Sequence, residues 1–436
     1  MSKKQKVSRR RFIRGMSAAI IMPYIIPSSV FARGKNIAPS DKITLGFIGC
    51  GEHGVGTNIN GFLKHDDCQI LAICDVDPMQ LEKAKQRIFR QYGESYEDLS
   101  ISSDFRDVID RKDIDAICIS TPDHWHVQIG IAAARAGKDV FVEKPLTTNI
   151  EEGKIFCKVM KETGRIVQVA SEQRCRAEFH QMAEIVRNGG IGKLKHIDVI
   201  LPSGHPIREN PNDKRPQLEV CDPPKGFDFE MWTGPSPEAP YRPGRTHWNW
   251  RWIEDTAEGQ FNDYAHHLID IAQWAHGTED TLPISVEGTG IFPEGFYNTA
   301  TDYNCNYTFA DGVTMNCKSG GTGHRFIGTD GDLINTGWGR LSSEPTSILD
   351  FKAGTGKVNL FKAESEHRNF LDCVKSRQKC YSHEGIGHRA AAFAHMGIIS
   401  IKLNRKLKFD PENEVFIKDN EANKMLSRPR RGPWTI

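Results

Sequence analysis

The sequence predicts an α/β protein in two parts: a doubly wound parallel sheet, then an α+β domain with a large, open, mostly antiparallel sheet. Two observations support this prediction. Apolar runs of strand length alternate with helical patterns between residues 42 and 169, which is the order of a parallel sheet with crossover helices. In the C-terminal half, strand candidates follow one another directly, as they do in antiparallel sheets. With 436 residues, the chain has room for both domains.

Five apolar runs define the predicted parallel sheet. They cover residues 43–48, 70–74, 116–120, 140–142 and 166–169. Four segments with helical spacing separate them, at 55–64, 79–92, 124–136 and 151–162. Because the runs lack polar alternation, we expect strands that are buried on both faces. We place this first domain at residues 41–168.

The second domain, placed at residues 169–436, mixes helices and strands. Helices are predicted over 178–188, 263–276, 366–376 and 387–403, and strands over 284–289, 302–309 and 313–318. A tract rich in Pro, Gly and Trp, residues 202–251, follows the first of these helices. Irregular segments of that length are usually functional or disordered, so we expect a lid or a binding loop there.

A glycine-rich turn follows the first predicted strand. Gly49, Gly51 and Gly54 form the pattern Gly-x-Gly-x-x-Gly, and Asp75 follows the second apolar run, at about the 20-residue spacing of a ribose-binding acid. In a strand–turn–helix unit, these residues bind the pyrophosphate and the ribose of a dinucleotide. The charge of Asp75 favours the free 2′-hydroxyl of NAD over a 2′-phosphate. The first domain is therefore predicted to be a Rossmann domain that binds NAD.

Lys144 directly follows the fourth apolar run and its Glu143. We expect its ammonium at the carboxyl edge of the sheet, near the nicotinamide, where it can stabilise the alkoxide that develops as hydride leaves. Pro145 favours an extended backbone at Lys144 and permits a cis bond. A surface lysine at a strand end is the alternative. Further contacts with the cofactor are expected from Thr121, Pro122, His126 and Glu143.

A second group of candidate residues lies on one predicted helix. Asp263, His267 and Asp270 share a face at positions i, i+4 and i+7. Carboxylates on both sides are expected to raise the pKa of His267 toward a value suited to a general base. Asp263 would then hold the imidazole or the substrate, whereas the neighbouring His266 would be structural. A helix with a satisfied His–Asp pair is the alternative.

An aromatic tract, residues 241–252, carries arginines among its rings. Trp250 and Arg251 are expected to contact the substrate, because ring faces and polar donors suit the two sides of a sugar; a small separate core is the alternative. His124 and His126 resemble metal ligands at first sight. They do not face one another on a helix, and no Cys or Glu cluster completes a shell. No metal site is predicted.

The N-terminal residues resemble an export signal. Residues 1–32 hold seven cations and no acid, including the twin-arginine pattern Ser8-Arg9-Arg10-Arg11-Phe12. A short apolar stretch and the small residues near Ala32 follow, as in a cleaved signal peptide. That stretch is too short for a permanent span, so we expect a periplasmic protein without a membrane anchor. The remaining chain is net acidic, which argues against nucleic acid as a partner.

The cysteines give a weaker signal than the export motif. The chain contains eleven, with no Cys-x-x-Cys pair. This pattern predicts mostly free thiols, although Cys373 and Cys380 are near enough in sequence to pair.

Together these motifs resemble the Gfo/Idh/MocA superfamily, which includes glucose–fructose oxidoreductase and inositol dehydrogenase. The resemblance covers nearly the whole chain after the signal. It is carried by Gly49-x-Gly51-x-x-Gly54, Asp75, Thr121-Pro122, Glu143-Lys144-Pro145 and Asp263-x-x-x-His267-x-x-Asp270. It implies that Lys144, Asp263 and His267 are catalytic and that the second domain binds substrate and mediates a homo-oligomer, a dimer or a tetramer.

The resemblance implies an NAD-dependent oxidoreductase acting on a secondary hydroxyl of a sugar, glycoside or cyclitol. We also expect the cofactor to be retained, since the periplasm supplies little free NAD. One alternative is a redox-neutral glycoside hydrolase that works through a transient 3-keto sugar. The members of that branch that we know lack a lysine in the Glu-Lys-Pro motif, whereas this chain has Lys144. A non-catalytic module that binds NAD or a sugar is a second alternative.

Overall fold

The first sheet is parallel, as predicted, and has six strands where five were expected. The computed structural model describes residues 41–208, 218–352, 354 and 357–436. The strand order is β3-β2-β1-β4-β5-β6, and all pairs are parallel. The strands are β1 (Ile43–Ile48), β2 (Cys68–Cys74), β3 (Ser100–Ser102), β4 (Ala116–Ile119), β5 (Asp139–Val142) and β6 (Val167–Val169). Strands β4 and β5 are buried over their whole length, which confirms the double covering expected from their apolar sequences.

Helices connect these strands on both faces of the sheet. After a π-helical segment, Gly54–Ile59, they are α1 (Asn60–Phe62), α2 (Pro78–Tyr92), α3 (Phe105–Ile109), α4 (Asp123–Arg135) and α5 (Ile150–Thr163). Helix α2 begins where the Asp77 carboxylate accepts the Met79 N–H, and Pro78 occupies its first turn. The sequence did not predict β3 or α3. Both are short, and β3 is largely exposed, so neither leaves an apolar run to detect.

Nine strands form the second, mostly antiparallel sheet. Their order is β13-β12-β11-β7-β10-β9-β8-β14-β15, and among the described strands of this sheet only β7 and β10 pair in parallel. The strands are β7 (His196–Leu201), β8 (Ser285–Ile291), β9 (Asp302–Thr308), β10 (Thr314–Ser319), β11 (Gly323–Ile327), β12 (Asp332–Thr336), β13 (Arg340–Glu344), β14 (Leu407–Asp410) and β15 (Val415–Phe416). Strand β9 alternates strictly, with Tyr303, Cys305 and Tyr307 buried. One face of this sheet therefore carries a core, as the alternation predicts.

Helices of the second part of the chain contribute to the cores of both sheets. They are α6 (Ala177–Arg187), α7 (Phe229–Thr233), α8 (Gly259–Tyr264), α9 (Asp270–His276), α10 (Glu366–Ser376), α11 (Glu384–Leu403) and α12 (Asn420–Lys424). A π-helical segment, Ala265–Ile269, joins α8 to α9. Short 3₁₀ turns occupy Glu172–Cys175, Pro243–Arg245, Asn249–Trp252 and Thr346–Asp350. Helix α11 packs on α5 as well as on β8, so it links the two sheets.

The C-terminal part of the chain also returns to the first sheet. Helix α10 places Phe370 edge-on against Phe62 and Phe141, and its Arg368 binds the Asp67 carboxylate through two contacts of 2.8 Å. Residues beyond the predicted boundary at 168/169 thus complete the core of the Rossmann sheet. The sequence places them on the second domain, because chain order does not show which sheet a helix packs on.

Three further observations concern the predictions on export and cysteines. The twin-arginine segment lies outside the described residues. Among the described helices, none is long and apolar enough to cross a membrane. All eleven cysteines lie in the described part of the chain, where Cys373 and Cys380 are free thiols and not a disulfide.

Candidate functional site

The three glycines of the turn have three different roles. Gly49 has a φ of +92°, and a Cβ there would lie 2.5 Å from the carbonyl carbon of Ser120. A Cβ on Gly54 would lie 2.4 Å from the Gly49 oxygen, so this residue allows close packing of turn and helix. At Gly51 a Cβ would meet nothing within 4 Å. The backbone at Gly51 is therefore open to a ligand, as a turn that binds pyrophosphate requires.

Asp75 is held beside this turn at the end of β2. Its Oδ2 accepts the Cys50 N–H at 2.6 Å, and its Oδ1 accepts the Asp77 N–H at 2.9 Å. Burial raises the pKa of Asp75 to about 6, so the carboxylate is mostly ionised at neutral pH. An oriented carboxylate here suits a ribose diol and repels a 2′-phosphate.

A cavity of about 1320 Å³ opens at the carboxyl ends of β1, β2 and β4. The strand order reverses between β1 and β4, which is where open α/β sheets bind their ligands. The residues fit NAD, which accepts or donates a hydride when bound. Of the predicted cofactor contacts, those that line this cavity are Gly49, Gly51, Asp75, Thr121, Pro122, Glu143 and Lys144. Gly54 and His126 are not among the lining residues.

His126 instead connects two of the loops that form the cavity. Its ring nitrogens lie 2.8 Å from the carbonyl oxygens of Thr121 and Pro145, and the side chain is buried. These bonds join the loop after β4 to the loop that carries Lys144. The neighbouring His124 lies 2.9 Å from the Trp232 carbonyl. Among the described residues, no group of three or more His, Cys, Asp or Glu side chains could hold a metal ion.

Lys144 reaches from the first sheet to the second part of the molecule. Its Nζ donates to Asp263 Oδ1 at 2.8 Å, and both side chains are largely buried. Burial opposes the charge on Lys144, but the charge of Asp263 and its hydrogen bond outweigh this and raise the pKa. The peptide bond to Pro145 is cis. Lys144 is therefore a protonated donor at neutral pH and not a proton acceptor.

Asp263 is shared by two cations. Besides Lys144, the Nε of Arg251 lies 3.9 Å from its Oδ1. Burial opposes ionisation of Asp263, but the charges of Lys144 and Arg251 lower its pKa to about 2. Two cations and one carboxylate leave one positive charge uncompensated in this group. Such a group favours an oxyanion, which is the charge that develops when an alcohol is oxidised.

His267 lies next to this group but differs from the prediction in one respect. Its ring packs against Tyr264 and Trp338, with centroids 5.7 Å and 5.8 Å away, and it is not among the cavity-lining residues. The predicted rise of its pKa is wrong. Burial and the nearby charge of Lys144 hold the pKa of His267 well below its ordinary value. The imidazole is therefore neutral at pH 7 and able to accept a proton.

Asp270 does not flank His267, which corrects a second expectation. Its carboxylate instead accepts two hydrogen bonds from Arg174, one from Nη2 to Oδ1 at 2.6 Å and one from Nε to Oδ2 at 2.7 Å. The cause is the π-helical segment Ala265–Ile269, whose wider turn changes which side chains share a face. His266 is buried and lies 3.3 Å from the Ser382 hydroxyl.

The aromatic tract forms a small core and also lines the cavity, so the two alternatives that the sequence left open both apply. Trp232, Tyr241 and Trp250 are buried together in a small core, and Trp250 and Arg251 also line the cavity. The guanidinium of Arg251 lies 4.2 Å from the Trp250 ring and 4.4 Å from the Trp248 ring. The tract therefore forms the wall of the cavity that faces the Rossmann sheet.

Sequence reasoning missed two partners of Glu143. The carboxylate of Glu143 lies 2.9 Å from Nε2 of His53 and accepts the Asn58 amide at 2.8 Å. Although burial opposes it, the charge and hydrogen bond of His53 lower the pKa of Glu143. His53 stands within the glycine turn, which was a signal available in the sequence. Asn58 on the following helix had no such signal, because its partner is distant along the chain.

The fold and the cavity define a dinucleotide-binding oxidoreductase. Residues 43–171 match the family model "Oxidoreductase family, NAD-binding Rossmann fold", and residues 176–436 match "Oxidoreductase family, C-terminal alpha/beta domain". The chain belongs to this family, Gfo/Idh/MocA. It binds NAD through its Rossmann domain.

Individual relatives are more distant. A "Glycosyl hydrolase family 109 protein" of Shewanella pealeana is 31% identical over 206 residues, which are 44% of this chain and 45% of that protein. The chain thus spans less than half the length of the curated relatives it matches. An aldose-aldose oxidoreductase from Caulobacter crescentus has 16% identity and a TM-score of 0.62, covering 84% of this chain and 100% of its own. The WlbA dehydrogenase from Bordetella pertussis has 17% identity and a TM-score of 0.61, covering 85% and 99%. These two structures share the fold.

Proposed function

We propose that this protein transfers hydride between NAD and a secondary hydroxyl of a sugar, glycoside or cyclitol. The observation that carries the proposal is the group formed by Lys144, Asp263 and Arg251. Its hydrogen bond of 2.8 Å keeps Lys144 protonated beside the cofactor cavity, and its excess positive charge suits an alkoxide. A site that only bound sugar would not need a buried cation there.

In this proposal, each residue of the site has a separate role. Bound NAD supplies the hydride acceptor. As the C–H hydride leaves, the hydroxyl proton passes to the neutral imidazole of His267, and Lys144 hydrogen-bonds the oxygen while charge develops on it. Asp263 holds Lys144 in place through their hydrogen bond. Trp250 and Arg251 contact the remaining part of the sugar from the opposite wall.

The printed names of similar proteins support the substrate class. The neighbour from Caulobacter crescentus is an aldose-aldose oxidoreductase complexed with glycerol, and the WlbA structure contains NADH and UDP-GlcNAcA. Glycerol and UDP-GlcNAcA are both polyhydroxylated compounds. The test is to incubate the protein with NAD and a panel of sugars, glycosides and cyclitols, followed by mass spectrometry. We expect a product with two hydrogens fewer than its substrate and an equal amount of NADH.

A second candidate is a redox-neutral glycoside hydrolase that uses NAD catalytically. The identity with glycosyl hydrolase family 109 proteins favours it, whereas the retained Lys144 favours simple dehydrogenation. An aryl glycoside in the same assay separates the two. Release of free sugar without NADH indicates the hydrolase, and a ketone indicates the dehydrogenase. Retention of NAD without either product indicates a non-catalytic binding module.

We further propose that the twin-arginine segment exports the folded protein to the periplasm with NAD retained. A double substitution, Arg9→Lys with Arg10→Lys, should leave the protein in the cytoplasm, because the export route reads that pair. Protein purified from the periplasm should carry nicotinamide through gel filtration. Protein free of nucleotide would overturn retention but not export. Sedimentation would test the expected dimer or tetramer.

A further inference from the structure

One carboxyl group in the cavity has no role in the reaction described above. Asp123 is the first residue of helix α4, directly after Thr121 and Pro122, and it lines the cavity. Its side chain is only 3% exposed. Its Oδ1 is shielded from solvent and has no hydrogen-bond partner within the described part of the chain. A buried polar atom in a ligand cavity without a partner usually marks a missing contact.

The charged groups that face Asp123 do not neutralise it. Asp263, Arg251 and Lys144 all act on it electrostatically, but Lys144 donates to Asp263, and Arg251 donates to the Trp248 carbonyl at 3.3 Å. On its own helix, His124 and His126 bond to backbone carbonyls. Burial, and then the charge of Asp263, raise the pKa of Asp123 well above its ordinary value. In the free protein this carboxyl is therefore protonated, since an unpaired buried carboxylate is costly.

The order of the strands indicates which half of the cofactor Asp123 meets. Asp75, the ribose acid, follows β2, which lies on one side of β1, and Asp123 follows β4, which lies on the other. A dinucleotide bound with its pyrophosphate at the glycine turn spans both sides. Its adenosine half lies toward Asp75, so its nicotinamide half lies toward Asp123. The nicotinamide ring of NAD⁺ carries a positive charge, and that of NADH carries none.

We propose that Asp123 senses the charge of the nicotinamide. It is protonated in the free protein and in the NADH complex, and it releases its proton to solvent when NAD⁺ brings a positive ring beside it. When the bound ring accepts a hydride and loses its charge, Asp123 takes up one proton from solvent. Asp123 is therefore a residue that makes the site distinguish the two redox forms of its cofactor, independently of the substrate.

The test compares the affinities of the nucleotide-free full chain for NAD⁺ and NADH between pH 6 and 8.5. Because binding of NAD⁺ releases one proton, its Kd should fall up to about tenfold for each pH unit, whereas the Kd of NADH should not. The ratio of the two Kd values is the informative quantity. Asp75 faces the adenosine ribose, which both forms share, so its titration cancels in the ratio.

Substitutions assign the effect to one residue. Asp123→Asn keeps the shape but cannot ionise, so the ratio should become independent of pH. His53→Gln is the matched control, because His53 also lines the cavity and its pKa is also raised, through Glu143. This variant should keep the slope. A wild-type ratio that does not change with pH, or a slope that survives in Asp123→Asn, would overturn the proposal.

A measurement on the unchanged protein does not depend on the folding of any variant. Calorimetry of NAD⁺ binding at pH 7 in two buffers of different ionisation enthalpy reports the protons released. We expect a release approaching one proton with NAD⁺ and at least severalfold less with NADH. Equal proton release by the two forms would overturn the proposal, even if both bind tightly and the protein proves to be a dehydrogenase.

Discussion

The two walls of the cavity are built differently. On the Rossmann wall, these ligand-facing residues come at or shortly after the ends of strands: Gly49 after β1, Asp75 after β2, Thr121 after β4 and Lys144 after β5. On the opposite wall, the residues come from an irregular tract that includes Arg251. Asp263, on a helix that continues into a π-helical segment, contacts Arg251 of this wall. A strand carries its own sequence signal, so the first wall can be found by pattern. The second wall depends on packing.

The walls also differ in how their carboxylates are compensated. On the Rossmann wall, Glu143 is paired with His53 and bonded to Asn58. Across the cavity, Asp263 is shared between two cations, Lys144 and Arg251. The charge of Glu143 is balanced by His53 beside it. In the group around Asp263, one cation remains without a counter-charge and can interact with a reacting oxygen. We therefore expect substitutions in the group formed by Lys144, Asp263 and Arg251 to affect catalysis, and substitutions at the glycine turn to affect cofactor binding.

The largest effect is expected from Lys144→Met. Removal of the cation should lower kcat by roughly 10³-fold, because one preorganised electrostatic donor contributes about that much, and the Kd of NAD should change little. Steady-state kinetics and a binding titration measure the two effects. Lys144→Arg, which keeps the charge in a different shape, should be intermediate. Full activity of Lys144→Met would show that the cation has no role in the reaction.

A loss of about 10²-fold in kcat is expected from His267→Gln, the lower end for a general base. The pH profile of the wild type adds a second check. A base must be neutral, and the pKa of His267 is held well below its ordinary value by burial and Lys144. Protonation therefore begins only below the ordinary range, so kcat/KM for the hydroxyl substrate at saturating NAD should be constant from about pH 6.5 upward. A profile that still rises between pH 7 and 8 would contradict this assignment.

Gly51→Ala should weaken NAD binding by about tenfold or more without lowering the thermal midpoint. The new Cβ meets no protein atom within 4 Å, but it enters the space that the pyrophosphate needs. Gly49→Ala is the contrasting variant. There the Cβ would lie 2.5 Å from the backbone and φ is +92°, so folding itself should suffer. If both variants unfold alike, the turn at Gly51 is structural and not a ligand site.

The smallest effect is expected from Asp75→Asn. Loss of the charge should weaken NAD binding by several-fold, equivalent to about 1 kcal/mol, and should improve binding of NADP relative to NAD. The N–H groups of Cys50 and Asp77 donate to different oxygens of the Asp75 carboxylate, so the amide keeps only one of these hydrogen bonds. A loss of about 1 kcal/mol in the free energy of unfolding is therefore expected as well. Competition titrations with both nucleotides measure the ratio. An unchanged preference for NAD would place the discrimination elsewhere, for example at Asp77.

Two errors of sequence reasoning fall on the helix that carries Asp263 and His267. Asp263 and His267 were identified, but the expected role of Asp270 and the direction of the pKa shift of His267 were wrong. Helical spacing assumes 3.6 residues per turn. The π-helical segment departs from this value, and no pattern in the sequence indicates where it does so. The partners of Glu143 and the isolation of Asp123 also required coordinates, because hydrogen bonding and burial depend on residues far apart in the chain.

The amino-acid sequence determines the Rossmann sheet, the glycine turn and the acid that follows the second strand. These features are local, since each requires only a strand, a turn and one side chain at a set spacing. Tertiary structure decides that Lys144 meets Asp263, that Asp270 binds Arg174 and that helix α10 completes the first core. Those contacts depend on burial and on charges that converge from distant segments. Burial also sets whether His267 and Asp123 carry a proton, and no linear pattern encodes it.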